Sequence, residues 1–153
     1  MRLQQLDHRQ SDQAHDIWRL LHDAYSVEAS IIGADDFPPL RRTVADIASA
    51  QAQFIGAGDE ARLLAVCEFS IDSGNSCEIT SFGVDPSSFR QGYGSMLLRN
   101  LISMPGILEL SVATAAANTP AIRFYEKHGF ACSGEWLTPE KIAVVRMVRA
   151  AVA

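Results

Sequence analysis

Basic residues are scarce in this chain: 13 lysines and arginines stand against 18 aspartates and glutamates, a net charge of −5. Nucleic-acid surfaces usually carry a basic excess, so this balance argues against one. A cationic amine is better matched, although net charge says little about a single pocket. Long apolar runs are missing too; none approaches the ~20 residues of a membrane span. The opening Met1-Arg2-Leu3-Gln4-Gln5 has no apolar stretch of the kind a secretory signal needs, so a cytoplasmic location is expected. Cysteine is limited to Cys67, Cys77 and Cys132, an odd number at irregular spacing with no zinc pattern, and no metal site is expected. A turn centred near Ser73-Gly74 would set Cys77 opposite about Ser70, leaving Cys67 out of register for a bridge. Buried free thiols in a reducing compartment are the simpler reading. Repeats, low-complexity tracts and linkers are absent as well. The expectation is one domain over 1–153, of ordinary globular composition, with 48% hydrophobic and 20% charged residues.

What is present alternates between two periodicities. Residues 1–7 fit a short strand. Ser11 or Asp12 can cap a helix to about Ala29, with a stripe of Ala14, Ile17, Trp18, Leu21, Ala24 and Tyr25. Glu28 continues that stripe; a frayed end reaching water is preferred over a role in a cavity. Residues 31–40 read as a loop with exposed-looking Ile31, Ile32 and Phe37, and a second helix spans about 43–51. Strands follow over 53–56, 62–70 and 76–84, and strict alternation in the third puts Glu78, Thr80, Phe82 and Val84 on one face. A helix from Gly92 stops before Pro105-Gly106. A strand at 107–113 carries Leu108, Leu110 and Val112 on one face. Asn118 or Thr119 caps the next helix, Pro120 sits in its first turn and Gly129 closes it. A hairpin of 130–137 and 142–149 ends the chain. The order β-α-α-β-β-β-α-β-α-β-β implies an α/β domain, a mixed sheet with helices on both faces.

The chain is organised around residues 84–98. A strand ends at Val84, a turn holds Pro86, Ser87 and Ser88, and Gly92-Tyr93-Gly94-Ser95 leads into a helix. The first amides of a helix lack internal partners and its dipole favours an anion there. Gly92 and Gly94 let phosphate approach the backbone, and Arg90 adds a cation. An ATP-binding loop would need Gly-Lys-Ser/Thr, but Ser95-Met96 follows Gly94; a dinucleotide fingerprint would need a small residue at Leu97.

This stretch resembles the acetyl-CoA pyrophosphate loop of the GNAT superfamily of N-acetyltransferases, Arg/Gln-x-x-Gly-x-Gly/Ala after a strand ending Val-x-Pro. Val84, Pro86, Gly92 and Gly94 match in order. The Arg/Gln position falls on Phe89, so that Arg90 stands one place late. A second stretch is similar to the family's Asn-x-x-Ala-x-x-Phe-Tyr-x-x-x-Gly-Phe motif through Asn118, Ala121, Phe124, Tyr125, Gly129 and Phe130. The resemblance covers roughly residues 76–148. It implies the GNAT fold, with its fourth and fifth strands splayed to admit acetyl-CoA. It further implies that the loop residues Arg90, Gln91, Gly92, Tyr93, Gly94 and Ser95 meet the pyrophosphate. Asn118 would touch the pantetheine arm and Tyr125 would protonate the departing thiolate.

Acetyl transfer needs a held thioester, N–H donors for its carbonyl oxygen, a base for the amine and an acid for the thiolate. The backbone of Phe82, Gly83 and Val84, on the open edge of a splayed strand, is the candidate for the carbonyl and pantetheine contacts; the side chains of Phe82 and Val84 suit core packing. Glu78 is the first choice for the base, with Glu68 and Glu28 as competitors and a solvated strand residue as the plain alternative. Arg123, Glu126 and Lys127 suit a solvated helix face. The function expected is an acetyl-CoA-dependent N-acetyltransferase with direct attack by a primary amine in a ternary complex. A non-catalytic acyl-CoA-binding module of the same fold and a plain interaction protein are the alternatives. The acceptor stays open among a small amine, which is preferred, a peptide N-terminus and a protein lysine. A homodimer is one option for the assembly.

Overall fold

A computed structural model describes residues 2–150. Seven strands form one sheet in the order β1-β2-β3-β4-β5-β7-β6. They are β1 (Arg2–Leu6), β2 (Gln53–Gly58), β3 (Leu63–Ile71), β4 (Ser76–Val84), β5 (Glu109–Ala115), β6 (Ala131–Leu137) and β7 (Ala143–Ala150). The helices are α1 (Ser11–Ile32), α2 (Val44–Ala48), α3 (Tyr93–Ile102) and α4 (Thr119–Lys127), with short 3₁₀ turns at Pro38–Arg41 and Pro86–Ser88. All neighbours pair antiparallel except β4 and β5, which are parallel. The sheet is therefore mixed, as the element order implied.

The central strands are covered by an apolar layer on each face. Ala14, Ile17, Leu20 and Leu21 of α1, with Ile47 of α2, bury Phe54 and Val66 on one face. Leu97, Leu98 and Leu101 of α3, with Tyr125 of α4, bury Ile55, Cys67, Ile79 and Leu110 on the other. Successive strand residues point to opposite faces, so Phe54 and Ile55 separate, as do Val66 and Cys67.

Three helix ends differ from expectation: α1 has Gln10, and not Ser11 or Asp12, in its capping position, with no side-chain cap. α1 runs past Ala29 to Ile32, because Gly33 supplies the left-handed cap (φ 68°), its N–H donating to the Ala29 carbonyl. Glu28 therefore lies within a formed helix and not at a frayed end. α2 ends at Ala48, well short of residue 51; a Thr43–Asp46 capping box starts it.

The largest correction concerns β4. Glu68 pairs with Ser81 but Phe69 pairs with Ile79, so Thr80 is an extra residue without an opposite partner. This bulge breaks strict alternation. Phe82 and Val84 join Cys77 and Ile79 on the α3/α4 face. Glu78 falls on the opposite face from Phe82 and is exposed. Leu108 precedes β5 and is 64% exposed, off the buried face of Leu110 and Val112. Cys77 pairs with Ile71, Cys67 with Phe82, and all three thiols are free; Cys132, unlike the other two, is exposed.

Candidate active site

β4 and β5 pair only through residues 76–79 and 109–112. Beyond that, residues 80–84 and 113–115 part, and a cavity of about 970 Å³ passes between them. One end opens beside α3 and α4, the other beside α1 and the 3₁₀ turn. Because the helices lie on opposite faces, the cavity runs through the sheet.

At the α3 end, the turn after β4 approaches the helix start. Gly92 is the residue before α3, at φ 89°, and no side chain caps the helix. The Tyr93, Gly94 and Ser95 amides, which have no carbonyl one turn back, remain available to a ligand. Gly94 has no positive φ; its reason is space. A Cβ there would lie 3.2 Å from Val84 Cγ2 and 3.4 Å from Phe82 Cε1. The turn that is one residue short closes through Arg90, itself left-handed at φ 64°. Phe89 and Arg90 both line the cavity, and Arg123 and Lys127 border it from α4. Gln91 lies outside the lining and its amide group donates to the Ser87 carbonyl at 3.4 Å.

The turn is held from below by Asp85. Its carboxylate, buried, accepts from the Ser87 amide at 2.9 Å and hydroxyl at 2.7 Å. Arg62 donates to it at 2.6 Å and Arg19 stands 3.7 Å away. Nothing in the composition pointed to this latch; Arg19, Arg62 and Asp85 are far apart in the chain.

At mid-cleft, Tyr125 is buried among Phe82, Phe124 and Phe130, each ring edge-on to it with centroids 5.3–6.2 Å apart. Burial, with the negative charge that Cys67, Tyr25 and Glu28 can carry nearby, holds its phenol far above the ordinary value. It is protonated near neutrality and can donate a hydrogen bond. Asn118 caps α4 by accepting from the Ala121 amide at 3.2 Å and lines the cavity. Gly83 does more than offer backbone: a Cβ there would come within 3.1 Å of Ala24 and Leu21, so glycine lets α1 lie close to β4. That approach brings Tyr25 to the strand, where its hydroxyl accepts from the Phe82 N–H at 3.3 Å. Burial, then Glu28, pushes the Tyr25 phenol up to about 12.

At the α1 end, the three candidate bases separate. Glu78 is exposed and outside the cavity lining. Glu68 is buried and clamped by Arg42 through both oxygens, at 2.6 and 2.8 Å, while the Ser81 hydroxyl donates to it at 2.8 Å. Burial alone would raise its pKa, but Arg42 and Ser81 bring it below the ordinary carboxylate value. It too lies outside the lining. Glu28 alone of the three lines the cavity. Burial raises its pKa, partly countered by the side chains of Asn118 and Thr114 and the Ala115 backbone. The signal in the sequence was the helical stripe itself, which Glu28 continues. Among the described residues no cluster of His, Cys, Asp or Glu could hold a metal ion.

The cleft through this splayed parallel pair thus has a glycine-bearing helix start at one end and a carboxylate and a buried phenol along it. The chain belongs to the Acetyltransferase (GNAT) family, whose sequence profile matches residues 14–130. It is 32% identical over 126 residues to the UPF0157 protein YqkA of Bacillus subtilis (strain 168), an alignment covering 82% of this chain and 36% of that protein. The chain thus spans about a third of that relative's length. Its fold matches the ribosomal-protein-S18-alanine N-acetyltransferase of Escherichia coli with a TM-score of 0.77 at 18% identity, covering 99% of this chain and 94% of the other. The PaiA N-acetyltransferase of Thermoplasma acidophilum, solved in complex with coenzyme A, matches with a TM-score of 0.75 at 16% identity, covering 98% and 99%.

Proposed function

We propose that this chain is an acetyl-CoA-dependent N-acetyltransferase in which a primary amine attacks the thioester directly, with Glu28 as base and Tyr125 as acid. The observation that carries the reading is the single cavity that Glu28, Tyr125 and the Gly92–Gly94 turn all line. Its volume of about 970 Å³ leaves room for the carrier arm and an acceptor together, which favours a ternary complex.

The residues present fit the carrier. The α3 amides and Arg90 would hold its pyrophosphate, the space kept by Gly94 would admit it, and Asn118 with the open edge of β4 would line its arm. The bound thioester supplies an activated acetyl carbonyl. Glu28 accepts the proton that the amine gives up, directly or through one water. Its raised pKa makes it a stronger base than an exposed carboxylate. Tyr125 donates its O–H toward the sulfur as the carbon–sulfur bond breaks and the carbon–nitrogen bond forms. The apolar rings around Tyr125 exclude water, which strengthens that hydrogen bond. Free Cys67, Cys77 and Cys132 suit a reducing cytoplasm.

The test is release of free thiol from acetyl-CoA across a panel of amines, with Glu28→Gln beside the wild type. The wild-type rate should rise with pH through a pKa raised from the ordinary glutamate value, because only the ionised Glu28 accepts a proton. Glu28→Gln should be slowed by about 10²- to 10⁴-fold near neutrality and recover at high pH, where the amine arrives deprotonated. An equal loss at every pH would return the role to bulk water. Coenzyme A binding with no thiol released by any amine would instead favour a non-catalytic acyl-CoA-binding module.

A further inference from the structure

We propose that the acceptor is a monocationic primary amine carried on an apolar body, aromatic or branched aliphatic, which enters from the α1 side with its ammonium on Glu28. The inference rests on the N-acetyltransferase reading and names the substrate class of the same site.

Charge along the cleft is uneven. Among the described lining residues Glu28 is the one carboxylate, while the cations Arg90, Arg123 and Lys127 gather at the α3/α4 end. One ammonium finds a partner at the α1 end. A second drawn into the cleft on the same molecule would find no further carboxylate among the described lining residues, and an unpaired cation buried there is strongly disfavoured.

The side chains of Thr114 and Asn118 bear on Glu28 itself, and three other polar side chains of this end have partners of their own. The Tyr25 hydroxyl takes the Phe82 amide, and the Thr138 hydroxyl accepts from the Ile142 N–H at 3.1 Å across the β6–β7 turn. Ser81 is held between Arg42 and Glu68. A peptide acceptor brings amides and carbonyls that need partners when buried, and this wall offers few.

The remaining surface is apolar. Ile31, one turn past Glu28, stands on the same side of α1. Phe37 is buried with its ring edge-on to Tyr25 at 6.1 Å, and Pro38 and Pro39 continue that wall. Ile142 and Val144 line the cleft from the β6–β7 hairpin. Six apolar side chains around one carboxylate suit a hydrocarbon body ending in one amine.

The experiment measures kcat/KM by thiol release, using the full chain and acetyl-CoA, for 2-phenylethylamine, spermidine and a short peptide with a free N-terminal alanine and a lysine. Coenzyme A binding is measured separately by calorimetry. The expected result is a preference of at least about tenfold for 2-phenylethylamine over the other two. Ile31→Glu, at a position 49% exposed and so tolerant of the change, places a second carboxylate at the rim. It should shift the ratio about tenfold toward spermidine. Wild-type preference for spermidine or the peptide, with turnover intact, overturns the substrate class and leaves the acetyltransferase standing. An unmoved ratio in Ile31→Glu overturns the charge argument. Failure to bind coenzyme A, or binding without turnover of any amine, overturns the underlying reading and the inference with it.

Discussion

The two ends of the cleft are made of different material. The α3 end is mainly backbone: helix amides, a turn with two left-handed residues and a glycine kept for space. The α1 end is mainly side chain: Glu28, Tyr25, Ile31 and Phe37 against the β6–β7 hairpin. A backbone site constrains sequence tightly, since only glycine serves where a Cβ would collide. A side-chain site accepts many residue types, provided the pocket keeps its shape and charge. One end is therefore marked by a motif and the other is free to vary with the acceptor.

The sharpest probe of this contrast is Tyr125, the proposed acid, which the motif-bearing half contributes. Tyr125→Phe keeps the packing against Phe82, Phe124 and Phe130 and removes only the hydroxyl. Single-turnover kinetics at saturating substrates should slow by about 10²- to 10⁴-fold with acetyl-CoA affinity nearly unchanged. A wild-type rate would make the residue a packed aromatic and leave the chemistry wholly to the α1 end.

Next comes the pair beneath the bulge. Arg42→Ala strands the buried Glu68 carboxylate, and denaturant unfolding at pH 7 should show a loss of about 3–5 kcal/mol. The sign with pH can be followed. Glu68 titrates below the ordinary carboxylate value in the folded protein, so the pair stabilises above the unfolded pKa near 4 and is lost as pH falls through the folded one. The deficit of the variant should thus shrink on acidification; a deficit constant with pH would mean that Arg42 acts by packing alone.

At the α3 end, a change to backbone space should outweigh the loss of a side chain. Gly94→Val crowds Val84, Phe82 and Phe124, which costs the fold about 1–3 kcal/mol and, by displacing the helix start, should lower coenzyme A affinity by calorimetry more than loss of the Arg90 side chain does. Arg90→Ala, at an exposed position, should cost about 1 kcal/mol. If Arg90 proves the larger of the two, the end is a side-chain site after all.

That contrast explains what could be read in advance. The strand order of elements, the Gly92–Gly94 turn and the Asn118–Phe130 motif are local patterns, and the structure keeps them. The base was not legible. Choosing Glu78 assumed unbroken alternation through β4, and a bulge is an extra residue on one strand, here Thr80, defined by its pairing with the partner strand, which one strand's pattern cannot display. Glu68 looked eligible until Arg42, 26 residues away, was brought to it. Preferring a solvated Glu28 assumed that α1 frays at Ala29, whereas Gly33 holds the next turn. The first two misplacements concern contacts between distant segments, and the third a helix cap five residues past Glu28.

The buried Asp85 also bears on kinetics. Because Ser87, Arg62 and Arg19 converge on its carboxylate, the turn before α3 is ordered before any ligand arrives. Capture of a phosphate-ended molecule then requires no folding of the loop, and the encounter rate should be governed by diffusion and by the cations at the mouth. The Ser87 and Ser88 amides, donated to the Asp85 side chain and carbonyl, should already exchange slowly with solvent deuterium in the free protein. Adding coenzyme A should slow them little, whereas the open Gly94 and Ser95 amides should gain most of their protection from it.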